Sequence, residues 1–196
     1  MITRAKTIIF VVLLATAAGL MSTQASGTYR VESVDIAASG SLPFGTYGDH
    51  YNVGTGTGIR LNTGFRSLPL KLSALLQFYY LLQNNPYVDT LLSASAVVEA
   101  GWPFALGDGP FTLMPRLGAG FLAHRARGEM NTVEPGVKSR FYADQVYMAK
   151  VELSFASWKK SVPDGWVGAF VAPGFALFPN QGALGTSLSL DLGVRV

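Results

Sequence analysis

The stretch LGTSLSLDLGVRV at 184–196 alternates strictly. Thr186, Leu188, Leu190, Leu192, Val194 and Val196 fall on one side, and Ser187, Ser189, Asp191, Gly193 and Arg195 on the other. That period of two belongs to a strand with one apolar and one polar face. The same parity recurs along the chain. It predicts strands at about 33–44, 51–62, 70–83, 88–104, 111–124, 141–155 and 166–178. In the first, Val34, Ile36, Ala38, Leu42 and Phe44 oppose Asp35, Ala37, Ser39 and Ser41. Leu72, Leu75, Leu76 and Tyr79 also fit a helical stripe, but Lys71, Ser73, Gln77 and Gln83 share one strand face, which favours a strand. Pro115 and Pro173 each remove a ladder bond in mid-strand, and a bulge is expected at both.

Short turns separate the segments, among them LGDGP at 106–110, and 125–140 is the one long loop expected. The count is therefore eight strands and seven connections, with strands as long as or longer than the ~9–11 residues that cross a bilayer at a tilt. Aromatic residues gather near strand ends, with Trp102, Phe104, Phe111 and Phe155 toward one rim and Phe44, Tyr80, Phe121 and Phe175 toward the other. Interfacial girdles predict that placement. The fold class that follows is an all-β, eight-stranded antiparallel up-and-down transmembrane barrel.

Composition points the same way. The 196 residues are 49% hydrophobic and only 14% charged, yet past the N-terminus no apolar run is long enough for a membrane helix. Residues 1–25 carry Arg4 and Lys6, an apolar run from Thr7 to Leu20, and small residues Thr23 and Ala25, the layout of a cleavable signal peptide. The barrel domain is then 26–196. Without Arg4 and Lys6, the 15 basic residues fall to 13 against 12 acidic, so the basic charge argues nothing for nucleic acid. Cysteine is absent, which excludes disulfides, thiol catalysis and a lipidated cysteine. In lipid only helices and closed barrels satisfy the backbone, and the barrel remains.

Chemistry is sparse. GTGTG at 54–58 lacks the spacing of a dinucleotide fingerprint, and no Gly-Lys-Ser or Gly-Lys-Thr follows, so these glycines are read as inner-wall positions where room is short. Two histidines and no cysteine give no zinc set, and no cofactor or other metal is expected.

On architecture and its closing strand, the chain resembles the small eight-stranded bacterial outer-membrane barrels of the OmpX, OmpA-barrel and OmpW type. Barrels of that family usually end in Phe or Trp, which the barrel-assembly machinery reads during insertion; Val196 stands here. The resemblance implies a bacterial outer-membrane location, both termini in the periplasm, and outer-membrane lipids as partners, with lipopolysaccharide or another anionic lipid among them. It also fixes depth. Asp35, Arg60, Lys71, Glu99, Arg116, Lys150, Glu152, Asp191 and Arg195 then all point inward in the periplasmic half, where buried charges persist only when paired. An ion-pair network plugging the lower lumen is expected.

The upper lumen is expected to hold Tyr79, Leu81, Leu91, Leu122, Tyr142, Val146 and Phe170. Two readings stand: a filled core, since eight strands leave just enough room for side chains, or a pocket for a small apolar ligand of the kind OmpW-type barrels are thought to pass. Arg125, Arg127, Lys138 and Arg140 at the feet of the long loop are candidates for headgroup phosphates. No catalytic residues are assigned. Lipid-modifying barrel enzymes need a His-Ser or His-Asp-Ser constellation, and the His-x-Ser spacing is absent: His50 is followed by Tyr51 and Asn52, and His124 by Arg125 and Ala126. His124 and Asp144 lie on neighbouring strands at one rim, where a structural hydrogen bond is expected. The functional expectation is a structural or surface-interaction barrel. The alternatives are a barrel binding or transporting small hydrophobic molecules, and a soluble exported ligand-binding barrel.

Overall fold

A computed structural model describes residues 29–45, 48–49, 51–65, 67–84, 90–127, 139–156, 168–180 and 183–196. The expected signal peptide, Lys138 and the tip of the long loop lie outside them, as do the side chains of Arg127, Arg140 and Tyr142.

Every predicted strand forms. They are β1 (Tyr29–Phe44), β2 (Tyr51–Phe65), β3 (Lys71–Gln83), β4 (Thr90–Gly101), β6 (Phe111–Arg127), β7 (Ser139–Ala156), β8 (Gly168–Asn180) and β9 (Ala183–Arg195), with a two-residue β5 (Phe104–Ala105) continuing the line of β4. Each pairs antiparallel with its sequence neighbours, β4 reaching past β5 to β6. The ring closes where β1 meets β9, from Asp35↔Arg195 to Phe44↔Thr186, and Val34 and Val196 exchange two backbone hydrogen bonds of 2.9 Å beyond that. Among the described residues every strand but the two-residue β5 is paired on both edges. The β3 segment is strand throughout, because only a period of two puts Ser73, Leu75 and Gln77 inside together.

Parity holds around the ring. Ile36, Ile59, Phe78, Val98, Leu117, Tyr147 and Leu192 face out and are about half exposed or more, while the intervening positions are buried. At the rims the girdle side chains meet in pairs, Phe111 with Phe155 at 5.3 Å and Phe44 with Phe175 at 5.7 Å between ring centres.

Neither proline makes a bulge. The β6–β7 register runs unbroken from Phe111↔Phe155 to Arg127↔Ser139. The Pro115 carbonyl accepts from Trp102 N at 3.2 Å, so its missing N–H points at the gap between β4 and β5, where the ladder lapses anyway at Pro103. Opposite Pro173 the β7–β8 pairing lapses between Lys150↔Gly174 and Leu153↔Val171 and resumes in the same register. The register shifts fall elsewhere, between Val31 and Ser33 in β1 and between Tyr51 and Gly54 in β2. The long loop is also shorter than expected, since Arg125 to Arg127 and Ser139 to Arg140 are still paired strand.

Candidate functional site

The lumen is stacked in layers. At the end where β1 begins and β9 finishes, eight charged side chains converge, four acidic (Asp35, Glu99, Glu152, Asp191) and four basic (Arg60, Arg116, Lys150, Arg195). All but Arg195 are essentially sealed from water. Glu152 is the hub: it accepts from Arg60 Nη1 at 2.8 Å, Arg116 Nε at 2.9 Å and Arg195 Nη2 at 2.7 Å. Arg195 grips Asp35 with two bonds of 2.8 Å, and Lys150 donates to Asp191 at 2.7 Å. Glu99 stands 2.9 Å from Arg60 Nε, 3.7 Å from Lys150 Nζ and 3.9 Å from Arg116 Nη1, off the donor axes, so charge rather than aligned hydrogen bonding holds it.

Neutral groups complete the network. Arg116 donates to Ser73 at 2.8 Å and to Asn62 at 3.2 Å, and Asp191 accepts from Ser39 at 2.7 Å and Gln77 at 3.2 Å. Ser73 and Gln77 share the inner-face parity of the charged positions, which is the signal the sequence offers for both, and Gln77 is fully buried. Phe170 belongs here too. It was expected in the upper lumen, yet it starts β8 at the lower end, with the guanidinium carbons of Arg60 and Arg195 5.5 and 5.7 Å from its ring centre. Cation–π attraction is worth most in such desolvated settings.

Lys71 is the other correction. It pairs with Glu32 at the lower mouth, where both are about a quarter exposed, and takes no part in the network. The shift between Val31 and Ser33 carries Glu32 to the mouth. Removing Lys71 brings the network to equal numbers of acids and bases.

Above the charges lies an apolar layer of Leu75, Val97, Leu122, Val146, Met148 and Phe178, and higher still Leu81 and Leu91 pack with Tyr51 and Tyr79. Leu81, Leu91, Leu122, Val146 and Tyr79 are thus where the sequence put them; Phe178 and Met148 were missed, although inner-face parity extends to both. Between the layers is a cavity of about 40 Å³, touched by Ser95 and Ser189, whose hydroxyls have no protein partner. That is space for a few waters and not for an apolar ligand. On its wall Ser93 Oγ lies 2.8 Å from His124 Nδ1, whereas His124 Nε2 stands 3.8 Å from Asp144 Oδ2, too far for the hydrogen bond expected between them. The cross-strand pairing of Ser93 with His124 sets this geometry. No cluster of metal-ligating side chains occurs among the described residues.

No protein-family model and no curated protein matches the chain. Solved structures do. Neisserial surface protein A superposes with a TM-score of 0.56 at 18% identity, over 86% of this chain and 96% of that one. The N-terminal β-barrel domain of Pseudomonas aeruginosa OprF gives 0.48 at 14% identity (85% and 98%), and Ail, the attachment invasion locus protein of Yersinia pestis, gives 0.46 at 12% (84% and 97%). The likeness to the first is one of fold. The chain has the architecture of a small bacterial outer-membrane barrel, and the outward positions of its described strands are predominantly apolar.

Proposed function

We propose that the chain is exported by its leader at 1–25, inserted by the barrel-assembly machinery, and resides in a bacterial outer membrane as a closed barrel with a structural or surface-interaction role. One observation carries this reading: the lumen is crossed by a charge-balanced network of eight mutually paired side chains, seven of them buried, capped by a packed apolar layer. Such a stack leaves no continuous water path, so the barrel anchors its loops and does not conduct. The polarity, oily outside and ionic inside, is the reverse of a soluble ligand-binding barrel, and the 40 Å³ cavity gives little support to carriage of hydrophobic molecules. Planar-bilayer recording tests the plug. Inserted protein is expected to give no steady current, and a reproducible ohmic conductance would overturn it.

A further inference from the structure

Above the charged network most of the lumen wall is apolar, yet five serines reach the cavity of about 40 Å³: Ser41, Ser93, Ser95, Ser187 and Ser189. Three of these hydroxyls are engaged within the protein. Ser41 donates to Ser187 at 3.3 Å, and Ser93 Oγ lies 2.8 Å from His124 Nδ1. Ser95 and Ser189 are left, both more than nine-tenths buried, and neither Oγ meets a protein partner. The two stand on opposite walls. Ser95 belongs to β4 and Ser189 to β9, four strands apart in either direction round the ring.

A third orphan sits beside the first. Gln77, the partner of Ser95 in the β3–β4 register, is sealed from water; its Nε2 donates to Asp191 at 3.2 Å, and its Oε1 has no protein partner. Cross-strand partners stand about 5 Å apart at Cβ, a gap that one water spans. Buried polar atoms are paired, with protein or with ordered water. Water suits this site: a hydroxyl both donates and accepts, an amide oxygen accepts, and among the described residues no carboxylate, lysine or arginine lines the cavity to balance an ion. At ~10–15 Å³ each, the space holds about three molecules.

We propose that the cavity is a binding site for a cluster of about three ordered waters, which joins Ser95 to Ser189 across the lumen and Ser95 to Gln77 Oε1. Through Gln77 and Asp191 the cluster ties the apolar layer to the charged network beneath it. This goes beyond the plug described above, because it places a ligand inside the lumen and gives that ligand a part in holding opposite walls together.

Oxygen-17 relaxation dispersion on the full chain in detergent micelles counts long-lived internal waters and is blind to hydroxyl protons. Ser95→Ala and Ser189→Ala are each expected to lower the count by about one or more, and the double variant by about three. Ser95→Thr, which keeps the hydroxyl, should retain the count. Urea unfolding supplies a second readout. Distant side chains that share no partner act additively in a double variant. Joined by water, the second alanine should shift the midpoint by less than about half of what it does alone. Should one single variant fail to fold, the count in the other decides. An unchanged count in the alanine variants would overturn the site, and strictly additive midpoint shifts would overturn the bridge. Either failure would leave the outer-membrane reading standing, since that reading is tested by bilayer recording and not by internal water.

Discussion

Arg60 on β2 and Glu152 on β7 meet at 2.8 Å across the full width of the barrel, four strands apart whichever way the ring is followed. Glu152 takes two further guanidinium bonds at the same point, from Arg116 and Arg195. Removing its carboxylate therefore leaves three guanidinium groups with one anion fewer in a largely buried space, and breaking a buried pair by deleting one partner typically costs about 3–5 kcal/mol. Glu152→Ala is expected to lose stability of that order in urea titrations of vesicle-inserted protein, followed by electrophoretic mobility of the folded form. A loss below about 1 kcal/mol, the level of a solvated pair, would mean that the network contributes nothing as a unit.

The pair at the mouth should behave in the opposite way. Lys71 and Glu32 keep about a quarter of their side-chain surface in water, where screening and side-chain entropy leave an ion pair worth about 0–1 kcal/mol. Glu32→Gln is expected to shift the same titration by less than about 1 kcal/mol and to lose even that at high salt. A cost comparable to that of Glu152→Ala would show that the mouth and the network are coupled.

The distinction between those two pairs marks the limit of what parity reveals. Strand existence, the direction of every described side chain in the belt, and the inward turn of Asp35, Arg60, Glu99 and Arg116 follow from a period of two, because one lipid face and one lumen face leave no freedom of register. Depth and partnership do not follow. The depth of Phe170, in the lower half and not the upper, is set by β8 beginning at Gly168, which parity does not reveal. Lys71 was assigned to the network because counting carries no sign of the shift at Glu32 that supplies it with a nearer anion. Contacts across the lumen, such as Arg60 with Glu152, depend on the stagger of all eight strands. The prolines misled for a related reason: whether a missing N–H matters depends on which neighbour it faces.

Glycines lining the wall give a test of packing that the ion pairs do not touch. A Cβ on Gly120 would overlap the Ala96 carbonyl and lie 2.7 Å from Val97 Cα, both backbone, so the sheet itself would have to move. On Gly40 the nearest atom is 3.9 Å away. Gly120→Ala is expected to destabilise by about 1–3 kcal/mol, as overpacking does. Gly40→Ala should be neutral, or stabilising by up to about 1 kcal/mol because the unfolded chain loses freedom. Thermal and urea unfolding of both variants would check the contrast, and equal effects would count against the close approach of β4 and β6.

The outer wall can be challenged directly at Leu190. It faces out near the middle of β9, 44% exposed, between Leu188 and Leu192 on its own strand. Its cross-strand partners are Gly40 and Pro173, neither of which can shelter a charge. An arginine there would sit in hydrocarbon if the belt spans a membrane, at a cost of about 2–4 kcal/mol near the midplane. On a water-facing wall the same change would fall within about 0.5 kcal/mol of neutral, the usual range for surface substitutions. Leu190→Arg is therefore expected to lower the folded, inserted fraction in phosphatidylcholine vesicles by an amount within the larger range. Depth dependence sharpens the comparison: Val194→Arg, near the end of the same face, should cost about 0–1 kcal/mol. Two equal, near-zero values would remove lipid from the outside of the barrel and the membrane reading with it.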